Sequence, residues 1–241
     1  MSDYPQETPQ IDEATALVSN LQQIRQENGY TTAIWSDERL SRAAQGLTEY
    51  KKLLESLPEE TAAKFAQDPG IQNCFLGIAP EEHFKTKLSE VEIEQINSAM
   101  ALRGEKYFVV SYKRPLSKEK NHVLINLEAA QAIMADNQDL FKDVGDPRNF
   151  LKTQPKQYLA PALFLSVKIH DQRHGVLAGY PRENVDLWSR INNGLGRDRF
   201  VNRPKAFGVG DGKSGFYFEG FSEADRTWAK EAIALRQATK I

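Results

Sequence analysis

The first hundred residues carry apolar side chains at steps of three and four, which is the spacing that places them on one face of a helix. This pattern predicts a helix that starts near Ile11 and stops at Gly29, and a second helix that is capped by Ser36. A turn is predicted at Asp68-Pro69-Gly70. Further helix starts are predicted at Pro58 and Pro80, and the helical pattern continues over Ser89 to Leu102 and ends at Gly104.

The pattern changes from helical to extended at Tyr107. Residues 107–112 and 122–127 are rich in β-branched and aromatic side chains, and the polar segment between them predicts a hairpin. A second hairpin is predicted where residues 206–209 and 216–219 flank a glycine-rich segment.

The remaining segments predict further helices. Residues 128–141 fit a helix that is broken at residues 145–147, and Ser222 is placed to cap the last helix. Residues 160–178 fit either an alternating strand or a helix that runs into Gly179. The helix is favoured because Pro181 and the polar residues after it resemble the start of another helix.

These elements together predict an α+β protein, with a helical N-terminal part followed by a small antiparallel sheet of two hairpins covered by helices. We expect a mobile tail at residues 1–10, an acidic helical subdomain at 11–104 and an α+β subdomain at 105–241. No proline- or serine-rich linker separates the two subdomains, so they are expected to form one integrated domain.

Composition excludes several classes of protein. The single cysteine, Cys74, allows neither an intrachain disulfide nor a cysteine-rich metal site, and its apolar neighbours predict a buried structural thiol. No segment approaches the roughly 18 apolar residues that span a bilayer, and residues 1–10 lack the apolar core of a secretory signal. We therefore expect a soluble cytoplasmic protein, whose oligomeric state stays open.

The charge is unevenly placed along the chain. Residues 1–100 hold eight Lys and Arg against 17 Asp and Glu, whereas residues 148–214 hold 12 Lys and Arg against five Asp and Glu. This asymmetry indicates an anionic partner, or else packing of the basic stretch against the acidic one inside the fold. The acidic pairs Glu59-Glu60 and Glu81-Glu82 are placed at predicted helix starts, where they stabilise the helix dipole and do not resemble a catalytic pair.

Two histidines, His170 and His174, have the spacing that puts both imidazoles on one face of a helix. A metal site needs at least a third ligand, and the sequence does not identify one, so no metal and no cofactor are expected. Because imidazole titrates near neutral pH, the same pair is the candidate for general acid–base catalysis.

The glycine-rich segment 208–214 resembles a phosphate-binding loop but does not match it. Three residues separate Gly208 from Gly212-Lys213-Ser214, where the phosphate loop needs four, and a strand is predicted after it in place of a helix. The tip of a hairpin is the favoured interpretation.

Arginines and aromatic side chains alternate over residues 197–207. Guanidinium groups match phosphate and carboxylate oxygens, and aromatic rings offer stacking faces. The candidate ligand-binding residues are Arg173, Arg197, Arg199, Arg203, Lys205 and Lys213.

The leading hypothesis is a binding or regulatory module that recognises an anionic ligand or partner, which is a small molecule, a protein or a nucleic acid. One alternative is a transferase or hydrolase acting on a phosphorylated or carboxylated substrate, with His170 or His174 as the acid–base group. The other is a protein–protein adaptor that uses the acidic helices, and it predicts exposed apolar patches on them.

Overall fold

The structure of the protein is a computed structural model. It describes residues 13–27, 36–102, 104, 106–113, 120–157, 164–193, 207–210, 217–220 and 222–239. The helices are α1 (Glu13–Glu27), α2 (Asp37–Ser56), α3 (Glu59–Ala66), α4 (Pro69–Phe75), α5 (Glu90–Ala101), α6 (Leu127–Asp136), α7 (Gln138–Phe141), α8 (Pro147–Gln157), α9 (Phe164–Leu177), α10 (Arg182–Asn193) and α11 (Glu223–Ala238). The strands are β1 (Glu81–His83), β2 (Tyr107–Lys113), β3 (Lys120–Asn126), β4 (Phe207–Gly210) and β5 (Tyr217–Gly220).

Side-chain caps begin several of these helices, and those at Ser36 and Ser222 are where the sequence predicts them. Ser36 accepts a hydrogen bond from the backbone N–H of Arg39 at the start of α2. Ser89 and Ser222 each form a capping box, in which a carboxylate three residues later accepts from the backbone N–H of the serine. These contacts satisfy N–H groups that the first helical turn leaves without partners.

The α+β class is confirmed. Strands β1, β3 and β2 form an antiparallel sheet in that order, and β4 pairs with β5 in a separate antiparallel ribbon. Both expected strand pairs are therefore present, and β1 adds an edge strand to the first of them. Because β1 precedes residue 104 and β3 follows it, the sheet draws on both parts of the chain.

The three-stranded sheet is covered on both faces. Leu124 of β3 packs with Phe75 of α4 and Ile96 of α5. On the opposite face, Val123 and Ile125 pack with side chains from helices α6 to α10. A third core joins α1 and α2 to the last helix, α11, through Leu17, Leu40 and Leu235.

Three sequence-based expectations are wrong in detail. Pro80 begins no helix, because its carbonyl accepts a hydrogen bond from Asn126 N–H and the next residues pair with β3 as β1. Asp68 caps helix α4, because its side chain accepts a hydrogen bond from Gly70 N–H. Residues 69 and 70 therefore belong to a helix and not to a simple turn. The helix expected over 128–141 is interrupted at Asn137, and helix α8 begins at Pro147, the last residue of the predicted break at 145–147.

The helix favoured for residues 160–178 is confirmed as α9 over Phe164–Leu177. Among the described helices, none combines the length and the apolar character needed to cross a bilayer.

Candidate metal centre

Strand β1 places two polar side chains on the face of the sheet that helices α6 to α10 cover. Glu81 lies opposite Ile125 and His83 lies opposite Val123, so both point to the same face as these two core residues. Glu82 lies between them and points to the other face, where Asn73 Nδ2 donates a hydrogen bond to its carboxylate. Alternation along a strand therefore brings Glu81 and His83 together.

Helix α9 brings the third polar side chain, His174, to the same place. The helix ends in a Schellman motif, in which Gly179 N–H donates to the Val176 carbonyl and Tyr180 N–H donates to the Gly175 carbonyl. Gly179 has a φ of +88°, and a Cβ atom there would lie 2.1 Å from the carbonyl oxygen of Ile78. Glycine is thus required for the close approach of the end of α9 to the backbone that leads into β1.

The three side chains converge on a small volume. Glu81 Oε1 lies 3.7 Å from His83 Nε2 and 3.7 Å from His174 Nδ1. The two imidazole rings meet edge to face, with their centroids 5.9 Å apart. The ligand atoms of the three side chains all lie within 4.8 Å of one another, which is close enough to share an ion. Among the described residues no other group of three or more histidine, cysteine, aspartate or glutamate side chains meets this condition. We call Glu81, His83 and His174 the Glu–His–His centre.

A tyrosine hydroxyl completes the surroundings of His83. Tyr112 Oη lies 3.3 Å from His83 Nδ1, and the two rings meet edge to face. When Nδ1 carries the proton and donates a hydrogen bond to Tyr112 Oη, Nε2 has a lone pair that points toward Glu81. Such an outer contact fixes the tautomer that a metal ligand needs.

The electrostatics of the centre favour neutral side chains. Burial, together with the nearby charge of Glu82, raises the pKa of Glu81 to about 8. Burial lowers the pKa of His174. Neither Glu81 oxygen has a hydrogen-bond partner among the residues that the structure describes. A buried carboxyl group in this state destabilises the fold.

The two separations from Glu81 fit a shared ion. Two ligand atoms bound tetrahedrally to Zn²⁺ at about 2.1 Å lie about 3.4 Å apart. The 3.7 Å separations from Glu81 are a few tenths of an ångström longer, which small side-chain rotations remove. Two imidazole nitrogens and one carboxylate oxygen suit Zn²⁺ and neighbouring divalent transition metals.

Of the residues predicted from the sequence, His174 belongs to this centre. His170 lies on α9 one turn earlier, but its side chain is outside the described residues. Five of the predicted ligand-binding cations also lie outside the described residues, namely Arg197, Arg199, Arg203, Lys205 and Lys213. The same holds for the tip of the glycine-rich hairpin at residues 211–216.

Arg173 is buried inside the fold, with 5% of the residue exposed. Its Nε donates to the Leu140 carbonyl at 2.7 Å, and its guanidinium pairs with Asp143. The same group lies over the rings of Phe141 and Phe150, at 5.6 and 5.5 Å from their centroids. These contacts join α9 to the segments around α7 and α8.

Sequence reasoning missed Glu81 and His83, because it assigned Glu81-Glu82 to a helix start and found no third ligand for the histidines. One signal was present, since a glutamate and a histidine two residues apart share a face if the segment is a strand. Cys74 is buried as predicted, its thiol donates to the Pro80 carbonyl, and burial raises the pKa of the thiol well above its usual value.

No family model, no curated protein and no solved structure matches this chain. The function is therefore inferred from the site.

Proposed function

We propose that the protein binds a divalent transition-metal ion at the Glu–His–His centre. One observation carries the proposal: the buried carboxyl group of Glu81 has no hydrogen-bond partner among the described residues, yet it faces a nitrogen of each histidine at 3.7 Å. A buried polar group without a partner costs about 1–3 kcal/mol. A cation between the three side chains would supply the missing partner.

The charges support the same conclusion. Burial disfavours both a carboxylate at Glu81 and an imidazolium at His174, so the two groups do not neutralise each other as an ion pair. A divalent ion binds carboxylate and neutral imidazole, which are the forms that supply lone pairs. Tyr112 holds His83 from the outer side, as partners of metal-bound histidines commonly do.

Calorimetric titration of untagged, chelator-treated protein with Zn²⁺ and with Co²⁺ tests the proposal. We expect one ion per chain in the wild type. Glu81→Gln and His174→Ala should each weaken binding by more than about 100-fold, because losing a ligand exceeds the 10- to 100-fold effect of losing an outer partner. His122→Gln is the matched control, because His122 lies opposite Ser111 on the other face of the sheet and should not affect binding.

Two results would refute the metal site. The first is absence of stoichiometric binding to a wild-type protein whose circular dichroism shows it to be folded. The second is equal affinity in the wild type and in both ligand variants.

The enzyme hypothesis gains one specific observation. His174 Nδ1 lies 3.7 Å from a carboxyl group whose pKa is raised to about 8, and such pairs can exchange a proton. A transferase or hydrolase that uses His174 in this way is the second candidate. It requires no ion, so hydrolytic activity that survives chelation and is lost in His174→Ala would favour it over the metal site.

Recognition of an anionic ligand through the basic stretch stays a prediction. Of the six candidate ligand-binding residues only Arg173 is described, and it is engaged by Asp143 and by the Leu140 carbonyl. The adaptor hypothesis also stays a prediction. Val91 and Leu102 are exposed on or beside α5, but scattered apolar side chains are common on folded proteins. A cytoplasmic location is likewise predicted from composition alone.

A further inference from the structure

We propose that the ion at the Glu–His–His centre keeps one coordination position for an exchangeable oxygen anion, of the carboxylate or phosphate class. This inference rests on the proposed metal site and adds what the site would take up. It follows from the number of protein ligands, from the exposure of their side chains and from the charge of the filled centre.

The ligand count leaves room for an outside group. Structural zinc sites in proteins are closed by four protein ligands, whereas catalytic sites combine three protein ligands with water or substrate. The described residues supply three ligand atoms, one each from Glu81, His83 and His174. A tetrahedral ion bound by these three has a fourth position for an outside ligand.

Exposure indicates the direction from which that ligand arrives. The side chain of Glu81 is 1% exposed, whereas those of His83 and His174 are 38% and 41% exposed. Glu81 therefore holds the ion from the protein interior, and the two imidazole rings border the solvent. His174 Nδ1, which faces Glu81, is itself buried, so an anion would approach along the exposed sides of the two rings.

Charge selects an anion. A divalent ion with one carboxylate and two neutral imidazoles carries a net charge of about +1 in a partly buried position. Glu82, whose charge acts on Glu81, points to the opposite face of β1, where its carboxylate accepts a hydrogen bond from Asn73. The remaining positive charge therefore favours hydroxide or an oxygen anion over a neutral ligand.

Cobalt substitution tests this directly, because the visible d–d bands of Co²⁺ report its coordination. The Co²⁺-loaded full chain is titrated separately with azide, acetate and inorganic phosphate. We expect a saturable change of the bands with azide and with at least one of the two oxygen anions. A response to acetate alone assigns the carboxylate class, and a response to phosphate alone assigns the phosphate class.

The controls separate this inference from the proposal beneath it. His122→Gln should load Co²⁺ and respond to the anions as the wild type does, and dialysis followed by metal analysis should show that the ion stays bound during the titration. Bands that ignore all three anions, or that respond to azide alone, overturn the inference and leave the metal site intact. Failure of the wild type to load Co²⁺ overturns both.

Discussion

Replacing Glu81 with glutamine should stabilise the metal-free protein by an amount that grows with pH. The carboxyl group is buried and its pKa is raised from 4.5 to about 8 by burial and by Glu82. The folded chain therefore holds this proton more tightly than the unfolded chain does. The corresponding stability is complete below pH 4.5 and is lost as the pH rises through about 8.

The magnitude follows from the shift. Each pKa unit is worth about 1.4 kcal/mol, so the loss of stability is about 1 kcal/mol at pH 5 and about 4 kcal/mol at pH 8. Glutamine has nearly the same shape and does not ionise, so it avoids this loss. The advantage of Glu81→Gln over the wild type should therefore increase by about 3 kcal/mol between the two pH values.

Urea denaturation with a chelator present, at pH 5 and at pH 8, measures this difference. Glu55→Gln makes the same chemical change at an exposed position on α2, and its effect should not depend on pH in this way. An advantage of Glu81→Gln that is the same at both pH values would refute the electrostatic account of the centre. So would a variant that is less stable than the wild type at pH 8.

Three further substitutions test the parts around the centre. Gly179→Ala should destabilise the fold by about 2 kcal/mol or more in urea denaturation and weaken metal binding in calorimetry, because the new Cβ would meet a backbone oxygen at 2.1 Å. Gly145→Ala is the control and should change neither quantity, because no atom lies within 4 Å of its new Cβ. Tyr112→Phe should reduce metal affinity by about 10- to 100-fold without a matching loss of stability, whereas Ser111→Ala should leave the affinity unchanged. Equal affinities of the two variants would exclude a role of Tyr112 as the outer partner of His83. Arg173→Met should cost about 2 kcal/mol in urea denaturation through lost hydrogen bonds and ring contacts while metal binding persists, and an unchanged stability would contradict the structural role of this arginine.

Local signals in the sequence account for much of the fold. These signals act between residues only a few positions apart. They include the serine caps at residues 36, 89 and 222 and the β-branched segments on either side of residues 114–119. Strand β1 could not be predicted in this way. It has three polar residues, and what makes it a strand is pairing with β3 about 40 residues later, which no local pattern encodes.

The candidate site was only partly predictable for the same reason. His174 stood out as one of four histidines, but its partners on β1 lie about 90 residues earlier in the chain. Arg173 illustrates the opposite case. Its sequence neighbours indicate a surface cation, and only the packing of α9 against Phe141, Phe150 and Asp143 shows a buried guanidinium.

A purely structural role for Glu81, His83 and His174 predicts a different geometry. A buried glutamate that stabilises the fold through histidine forms a charge-assisted hydrogen bond of about 2.7–2.9 Å, and the pair raises the pKa of the imidazole. Here both nitrogen–oxygen separations are 3.7 Å, and burial lowers the pKa of His174. The three side chains therefore contribute little to each other's stability in the metal-free protein. A carboxyl group that a fold keeps buried at such a cost is typical of a site that binds something else, and a cation is the ligand that could bind Glu81 together with both imidazoles.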